Sequence, residues 1–370
     1  MYLIPLINVS RQFQEMRNEI LEAIDRVITS GQYVLGQEGS MFEKEVSDYL
    51  SSPYAVSVGN GTDALVLSLD ALDIGPGDEV ITTPFTFFAS AEAISRVGAT
   101  PVFVDIDPKT YTIDVSKIAD KITSKTKAIL PVHLFGQSCD MDKLMELADS
   151  YKLFVIEDAC QAFGAEENGV KLGTIGDIGC FSFFPTKNLS TIGDGGLIVT
   201  KHEKLAKRLK QLRHHGSTKK YYHAEIGYNS RLDEIHAAIL RISLAYIDAW
   251  NEERRQKAYG YDELAGVNGL QIPFRKPGHS HIYHLYCVEH AERDNLMAYL
   301  ERNGVASGAY YPLPLHRQEV YKHLGYHLGD FPVAEEKASR LLALPMHPSL
   351  KAEEQQEVIR VLKAYRGNSL

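Results

Sequence analysis

Between residues 54 and 158 the chain repeats one pattern. Short runs of Val, Ile and Leu, at 55–58, 80–83, 102–105, 128–132 and 153–157, alternate with stretches in which apolar residues recur every three or four positions. An apolar run without polar alternation suits a strand buried on both faces, as a parallel sheet under two helical layers requires. The expected fold is therefore α/β: a large, mostly parallel-sheet domain with helices on both faces, followed by a smaller C-terminal α+β domain. The boundary is expected at 245/246, giving 1–245 and 246–370. In such sheets ligands sit beyond the carboxyl ends of the strands. Asp105, His133, Asp158 and the turn at Gly61 all fall at that edge.

The intervening helices are expected near 62–72, 90–97, 115–122 and 140–151. Before the first strand, Phe13, Met16, Ile20, Ile24 and Val27 predict one amphipathic helix over 10–30, with a shorter one near 41–50. After Thr200 comes a basic helix over 204–213. The segment 214–231 is then long for a loop in a compact domain, which marks it as functional or mobile. One long helix is expected from Leu232 to about Leu264. Beyond it the pattern predicts a strand at 283–288, a helix at 293–303, a turn at 310–314 and two closing helices.

Three features of composition narrow the function. The formal charge of −9 over 370 residues opposes general binding to a nucleic-acid backbone, which needs a basic face. The four cysteines, Cys139, Cys160, Cys180 and Cys287, show no C-x-x-C spacing, so the reading is reduced thiols in the cytoplasm, with no metal site. The N-terminus MYLIPLINVSRQF has neither a basic leader nor a span of apolar residues, so neither a signal peptide nor a membrane anchor is expected there.

The chemistry concentrates between Val155 and Gly196. An apolar run ends in Glu157 and Asp158, and 29 residues after Asp158 a single lysine, Lys187, stands between the run CFSFF and the turn GDGG. An acid at the end of a buried strand can face that lysine across one pocket. A desolvated lysine loses its charge readily and can form a Schiff base. A carboxylate can keep a pyridine nitrogen protonated so that the ring accepts carbanion charge. The expected cofactor is pyridoxal 5′-phosphate, with Lys187 on the aldehyde and Asp158 on the ring nitrogen. Gly59, Asn60 and Gly61 form a tight turn into a helix N-terminus at Thr62, which suits a phosphate. Taken alone, Ser182 reads equally as a core serine, Phe88 as core, Gln161 as a helix surface residue and Asn229 as a turn residue. Their common placement is what favours a site.

Ordered motifs along almost the whole chain, among them GNGTDAL, GPGDEVITTPFTFFAS, IEDACQAFGA, GDIGCFSFFPTKNLSTIGDGG, GYNSRLDEIHAAIL and YYPLPLH, resemble the DegT/DnrJ/EryC1/StrS family of nucleotide-sugar aminotransferases. The resemblance implies the aspartate aminotransferase fold, fold type I. It implies that Lys187 carries the cofactor, Asp158 pairs with the ring nitrogen, Gln161 lies near the ring hydroxyl and Phe88 stacks on the ring. Gly61, Thr62 and Asp63 match the phosphate turn, with Ser182 as its side-chain ligand. Asn229 matches an asparagine that reaches the phosphate from a neighbouring subunit, so the resemblance implies a homodimer with shared active sites. His133, Tyr311 and His316 fall in motifs near the sugar site. Ser190-Thr191 departs from the family's usual step after KNL, without touching the chemistry. Related dehydratases carry histidine where Lys187 stands.

The expected activity is transfer of an amino group from glutamate, leaving 2-oxoglutarate, to a keto-sugar linked to a nucleoside diphosphate. The motif form leans toward 3-keto over 4-keto deoxysugars, for surface polysaccharide or glycosylated metabolites. Lys219, Lys220 and Arg231 are the nearby cations for the diphosphate. The rival reading is a regulatory protein that keeps the fold without catalysis. The intact Lys187 and Asp158 oppose it.

Overall fold

A computed structural model describes residues 3–367. Seven strands build the main sheet: β1 (Tyr54–Val58), β2 (Glu79–Thr82), β3 (Thr100–Phe103), β4 (Thr126–Ile129), β5 (Phe154–Asp158), β8 (Ile178–Ser182) and β9 (Gly196–Thr200). Two small ribbons lie outside it, one of β6 (Glu166–Glu167) with β7 (Val170–Lys171), the other of β10 (Ser217–Lys219) with β11 (Tyr222–His223). The order across the main sheet is β1-β9-β8-β5-β4-β2-β3. Only β9 runs antiparallel to its neighbours, β1 and β8.

The register brings distant residues to one edge. Val58 and Ser182 both stand opposite Gly196, and Asp158 stands opposite Cys180. The turn after β1, the end of β5 and the end of β8 therefore meet. The strands are apolar throughout because both faces are covered: Val56, Ile156, Cys180 and Ile198 pack in one cluster, and Ala55, Phe181, Leu197 and Val199 in another. Helix α4 (Gly61–Ala71), with Leu65, Leu67 and Leu69 buried, lies in the first layer. Helices α3 (Gln37–Leu50) and α8 (Glu234–Leu244) belong to the second.

A separate apolar cluster centres on Tyr261, Tyr286, Leu296, Leu344, Val358 and Leu362. Its frame is β12 (Tyr286–Glu289) paired antiparallel with β13 (Leu341–Leu344), and its helices are α10 (Arg293–Arg302) and α12 (Ala352–Ala364), while α11 (Pro332–Arg340) packs its Ala334 and Ala338 into the cluster of the main sheet. Ile4 joins this cluster, and its amide and carbonyl bond Gly304 O at 2.8 Å and Ala306 N at 3.0 Å. The first described residues thus pack with the C-terminal unit, although their place in the chain suggested the large domain. Asp105 is spent on the same unit: its carboxylate caps α11, accepting from Val333 N at 3.1 Å and Ala334 N at 2.9 Å.

Three expected helices differ. The helix over 10–30 is two, α1 (Val9–Glu15) and α2 (Arg17–Ser30), because Met16 leaves helical geometry at φ −101° and ψ 8°. The long helix from Leu232 is α8 and α9 (Ile247–Gly260), then a short 3₁₀ turn. The break at 245–246 lets Tyr246 stack on Trp250, with ring centroids 5.7 Å apart. Residues 115–122 form two short 3₁₀ turns instead of a helix. Val115, Ile118 and Ile122 still pack in one cluster, with Ile118 buried.

Candidate active site

Asp158 ends β5, where its carboxylate points past the sheet edge. Its Oδ2 accepts from Ser90 Oγ at 2.7 Å and its Oδ1 from Cys160 N at 3.2 Å. Lys187 sits in the connection between β8 and β9, with its own N–H bonded to Phe184 O at 2.8 Å. The next residue secures that connection. Asn188 is buried and donates to Asn251 Oδ1 at 2.7 Å and to Ile282 O at 3.1 Å. Burial lowers the pKa of the Lys187 amine, and the nearby Cys160 and Asp158 draw it partly back up. The lysine amine thus lies within the field of Asp158.

The phosphate side is built from the β1–α4 turn. Asn60 caps α4, its side chain accepting from Asp63 N at 2.8 Å. The amides of Gly61 and Thr62, first in the helix, are among those that a helix leaves without an internal partner. Gly61 has no room for a side chain: a Cβ would lie 2.7 Å from Ser182 Cβ and 3.0 Å from Cys160 Sγ. Ser182 is thus in direct contact with the turn. Asp63 turns away from it, accepting from Ser230 Oγ at 2.6 Å, and Ser230 Oγ also accepts from Gly59 N at 2.9 Å. Asp63 braces the turn and does not present its carboxylate to an anion.

Gln161 receives Phe135 N–H on its Oε1 at 2.9 Å and donates through Nε2 to Tyr311 Oη at 3.2 Å. Burial raises the pKa of the Tyr311 phenol, and Asp158 acts on it in the same direction. Phe87 faces Tyr311 with centroids 6.1 Å apart and is 55 % exposed. Phe88 packs instead on Tyr321 at 5.8 Å within the core. The two residues adjoin in the sequence, and the helix start at Ala89 decides which ring faces the pocket. The structure therefore sets Phe87, and not Phe88, beside Tyr311.

Two further residues are not at the pocket. His133 is fully buried, with its Nε2 2.8 Å from Glu157 Oε2. Glu157 precedes Asp158 on one strand, so their side chains leave opposite faces of the sheet. His316 is also buried, against Glu335 Oε1 at 2.9 Å and the ring of Phe331, and burial lowers its pKa. Both occupy the right segment with the wrong orientation for a substrate contact.

The cations lie on the hairpin side. Lys219 is exposed, with its ammonium 4.0 Å from the Tyr222 ring centroid, and Lys220 lies 5.2 Å from that of Tyr221. Arg231 is half-buried, its Nη1 3.1 Å from His214 Nδ1. Asn229 is exposed next to Ser230, which is already tied to this chain's own turn. Ser90, Asn188 and Ser230 escaped sequence reading. Ser and Asn in helices and turns carry no distinctive signal until the tertiary contacts are known.

A half-buried lysine amine within the field of a strand-end carboxylate, beside a glycine-walled helix N-terminus, on this sheet order defines a fold type I transferase of the pyridoxal-phosphate class. Residues 14–363 match the model of the DegT/DnrJ/EryC1/StrS aminotransferase family, and the chain belongs to that family. It is 45 % identical over 98 % of its length to a protein of Geobacillus stearothermophilus named as a pleiotropic regulatory protein, covering 99 % of it. It is also 45 % identical, over 97 % of each chain, to the UDP-N-acetyl-3-dehydro-α-D-glucosamine 3-aminotransferase of Acidithiobacillus ferrooxidans. The crystal structure of DesV from S. venezuelae is similar at TM-score 0.96 and 42 % identity, with 98 % of both chains covered.

Proposed function

We propose that the chain is a pyridoxal-phosphate-dependent aminotransferase that moves an amino group from glutamate to a nucleotide-linked 3-keto sugar. The observation that carries this reading is the half-buried Lys187 amine on the connection between β8 and β9, its pKa lowered by desolvation, within the field of Asp158 at the end of β5. The name of the Acidithiobacillus relative supports a nucleotide sugar and the 3-position.

The residues present fit the cofactor. Gly61 lets the turn pack directly on Ser182, and the Gly61 and Thr62 amides with Ser182 suit its phosphate. Asp158 suits the ring nitrogen, Gln161 and Tyr311 the ring hydroxyl side, and Phe87 one ring face. When bound, pyridoxal phosphate supplies an aldehyde that takes up amines and a cationic ring that accepts carbanion charge. Lys187 provides the attachment point and, once released, an amine that carries protons between donor and acceptor positions. Its lowered pKa increases the neutral fraction that both tasks need. Lys219, Lys220 and Arg231 are the candidate contacts for the sugar's diphosphate.

The partner we propose is a second copy of this chain. Asn229 is exposed, and around it Ile226, Tyr221 and Tyr222 are exposed to 93 %, 83 % and 60 %. A patch of this kind on an otherwise acidic surface suits an interface. In that arrangement Asn229 serves the partner's phosphate turn. No helix among the described residues is long and apolar enough to cross a membrane. The free cysteines suit the reducing cytoplasm in which nucleotide sugars are made.

The intact Lys187 and Asp158 pair favours catalysis over a purely regulatory role, despite the name of the Geobacillus relative. The test is the visible spectrum of the protein with cofactor, before and after glutamate. A yellow band that glutamate bleaches, and that Lys187→Ala never develops, is the expected result. A Lys187→Ala protein with wild-type colour and turnover would remove the assignment.

A further inference from the structure

Asp158 is the end of a buried chain of hydroxyls. Ser90 and Thr86 are both buried, at 0 % and 2 % exposure. Ser90 Oγ donates to Asp158 Oδ2 at 2.7 Å, and Thr86 Oγ1 lies 3.1 Å from Ser90 Oγ. Either hydroxyl of that second pair can donate in isolation. The carboxylate removes the choice. An ionised carboxylate only accepts, so the Ser90 proton is committed to Asp158, and Thr86 must donate to Ser90. The order is Thr86 to Ser90 to Asp158, each bond polarising the next.

The chain originates on one element and acts on another. Thr86 precedes α5 (Ala89–Arg96), Ser90 is its second residue, and Asp158 ends β5. Cys160 N–H holds the other carboxylate oxygen at 3.2 Å. Asp158 is therefore clamped through both oxygens, with its remaining acceptor capacity free for one further donor. The titratable groups acting on this corner are Lys187, Cys160, Cys180 and Tyr311. Of these, the Cys160 side chain also bonds Asp158, while the Ser90 hydroxyl donates to Oδ2.

We propose that Ser90, backed by Thr86, is a positioning residue that aims Asp158 at the cofactor's ring nitrogen and keeps the shared proton on that nitrogen. This rests on the aminotransferase reading above. Donation to the carboxylate stabilises its charged form. A hydrogen-bonded nitrogen–carboxylate pair then stays as pyridinium and carboxylate, instead of neutral pyridine and carboxylic acid. Without Ser90 the carboxylate loses both a rotational constraint and its strongest donor.

The experiment uses pyridoxal phosphate labelled with ¹⁵N in the ring, bound to wild type, Ser90→Ala and Thr86→Val. Dissociation constants and the ring ¹⁵N shift are read, with no turnover required. Ser90→Ala is expected to bind about tenfold more weakly, the scale of one hydrogen bond to a charged group. Its ¹⁵N signal should move toward that of the unprotonated ring. Thr86→Val should move both in the same direction by less. A Ser90→Ala protein with wild-type affinity and shift overturns the proposal alone. Wild type that takes up no cofactor overturns both this and the aminotransferase reading. Should Ser90→Ala not fold, Thr86→Val decides, and an unchanged ¹⁵N shift there overturns the relay. A loss of thermal stability without a ¹⁵N change would also overturn it, since that is what a merely structural hydroxyl produces.

Discussion

Adjacent residues take opposite tasks at this site. Phe87 is exposed beside Tyr311, while Phe88 packs on Tyr321. Phe87→Ala should weaken cofactor binding roughly five- to tenfold, the scale of one aromatic contact, and leave folding stability unchanged. Phe88→Ala should cost about 2 kcal/mol of stability, less than a fully buried phenylalanine because the ring is only part-buried. Urea unfolding and cofactor titration of both variants separate the two roles. The reverse pattern would restore Phe88 to the ring face. The same alternation splits Glu157 from Asp158. One faces the pocket edge, and the other is buried under a loop.

At the scale of elements, Glu157 organises the loop that leads into β8. Its carboxylate accepts from Gly173 N at 2.7 Å, Ile175 N at 2.8 Å and Gly176 N at 2.6 Å, besides the contact with His133. That bond pattern fixes where β8 starts and hence where Ser182 and Lys187 emerge. Gly179 is required for the same fit, because a Cβ there would lie 1.9 Å from Gly173 O. His133 belongs to this support. His133→Gln is expected to lower stability by about 2 kcal/mol, the penalty for disturbing a buried hydrogen bond to a charged group. The KM for the sugar should stay within about twofold of wild type, since the side chain points away from the pocket. A raised KM with stability intact would return His133 to the substrate site.

At the scale of the whole molecule, the C-terminal unit is tied to the sheet by buried polar contacts. Tyr111 Oη donates to Glu289 Oε1 at 2.7 Å, and Lys337 Nζ lies 2.8 Å from the same oxygen. We propose 245/246, the break between α8 and α9, as the boundary of this unit along the chain. Within it His347 is 1 % exposed, and burial, then Arg254 and Arg11, push its pKa down to about 4. A histidine depressed from 6.5 stabilises the fold fully above pH 6.5, and that contribution is lost as pH falls toward 4. The loss is on the order of 3 kcal/mol, from about 2.5 units at 1.36 kcal/mol each. Unfolding curves at pH 7 and 4.5 should show it, and His347→Gln should flatten that slope. The proposed sharing of active sites between two copies makes a separate prediction. Lys187→Ala and Asn229→Ala, each inactive alone, should recover about a quarter of wild-type activity after mixing and subunit exchange, because half the sites in each mixed dimer are intact. No recovery would mean that Asn229 serves its own chain.

The sequence by itself determined the layered α/β architecture and the glycine turn at Gly61, and it singled out Lys187 and Asp158. Each depends on residue type and local periodicity. A strand buried on both faces must be apolar, and a turn pressed against Ser182 must lack a side chain. What only the tertiary structure decided is direction. His133, His316 and Phe88 lie in the right segments, yet strand alternation and helix phase turn them away. Met16 and 245–246 break helices whose apolar spacing runs on without interruption, and the pieces on either side still share one apolar cluster. The support for Asp158 was equally hidden, since Ser90 and Thr86 come from a helix start 68 and 72 residues earlier in the chain. Hydrogen bonds between segments that far apart depend on the register of the sheet, and that register is set by the packing of the whole core.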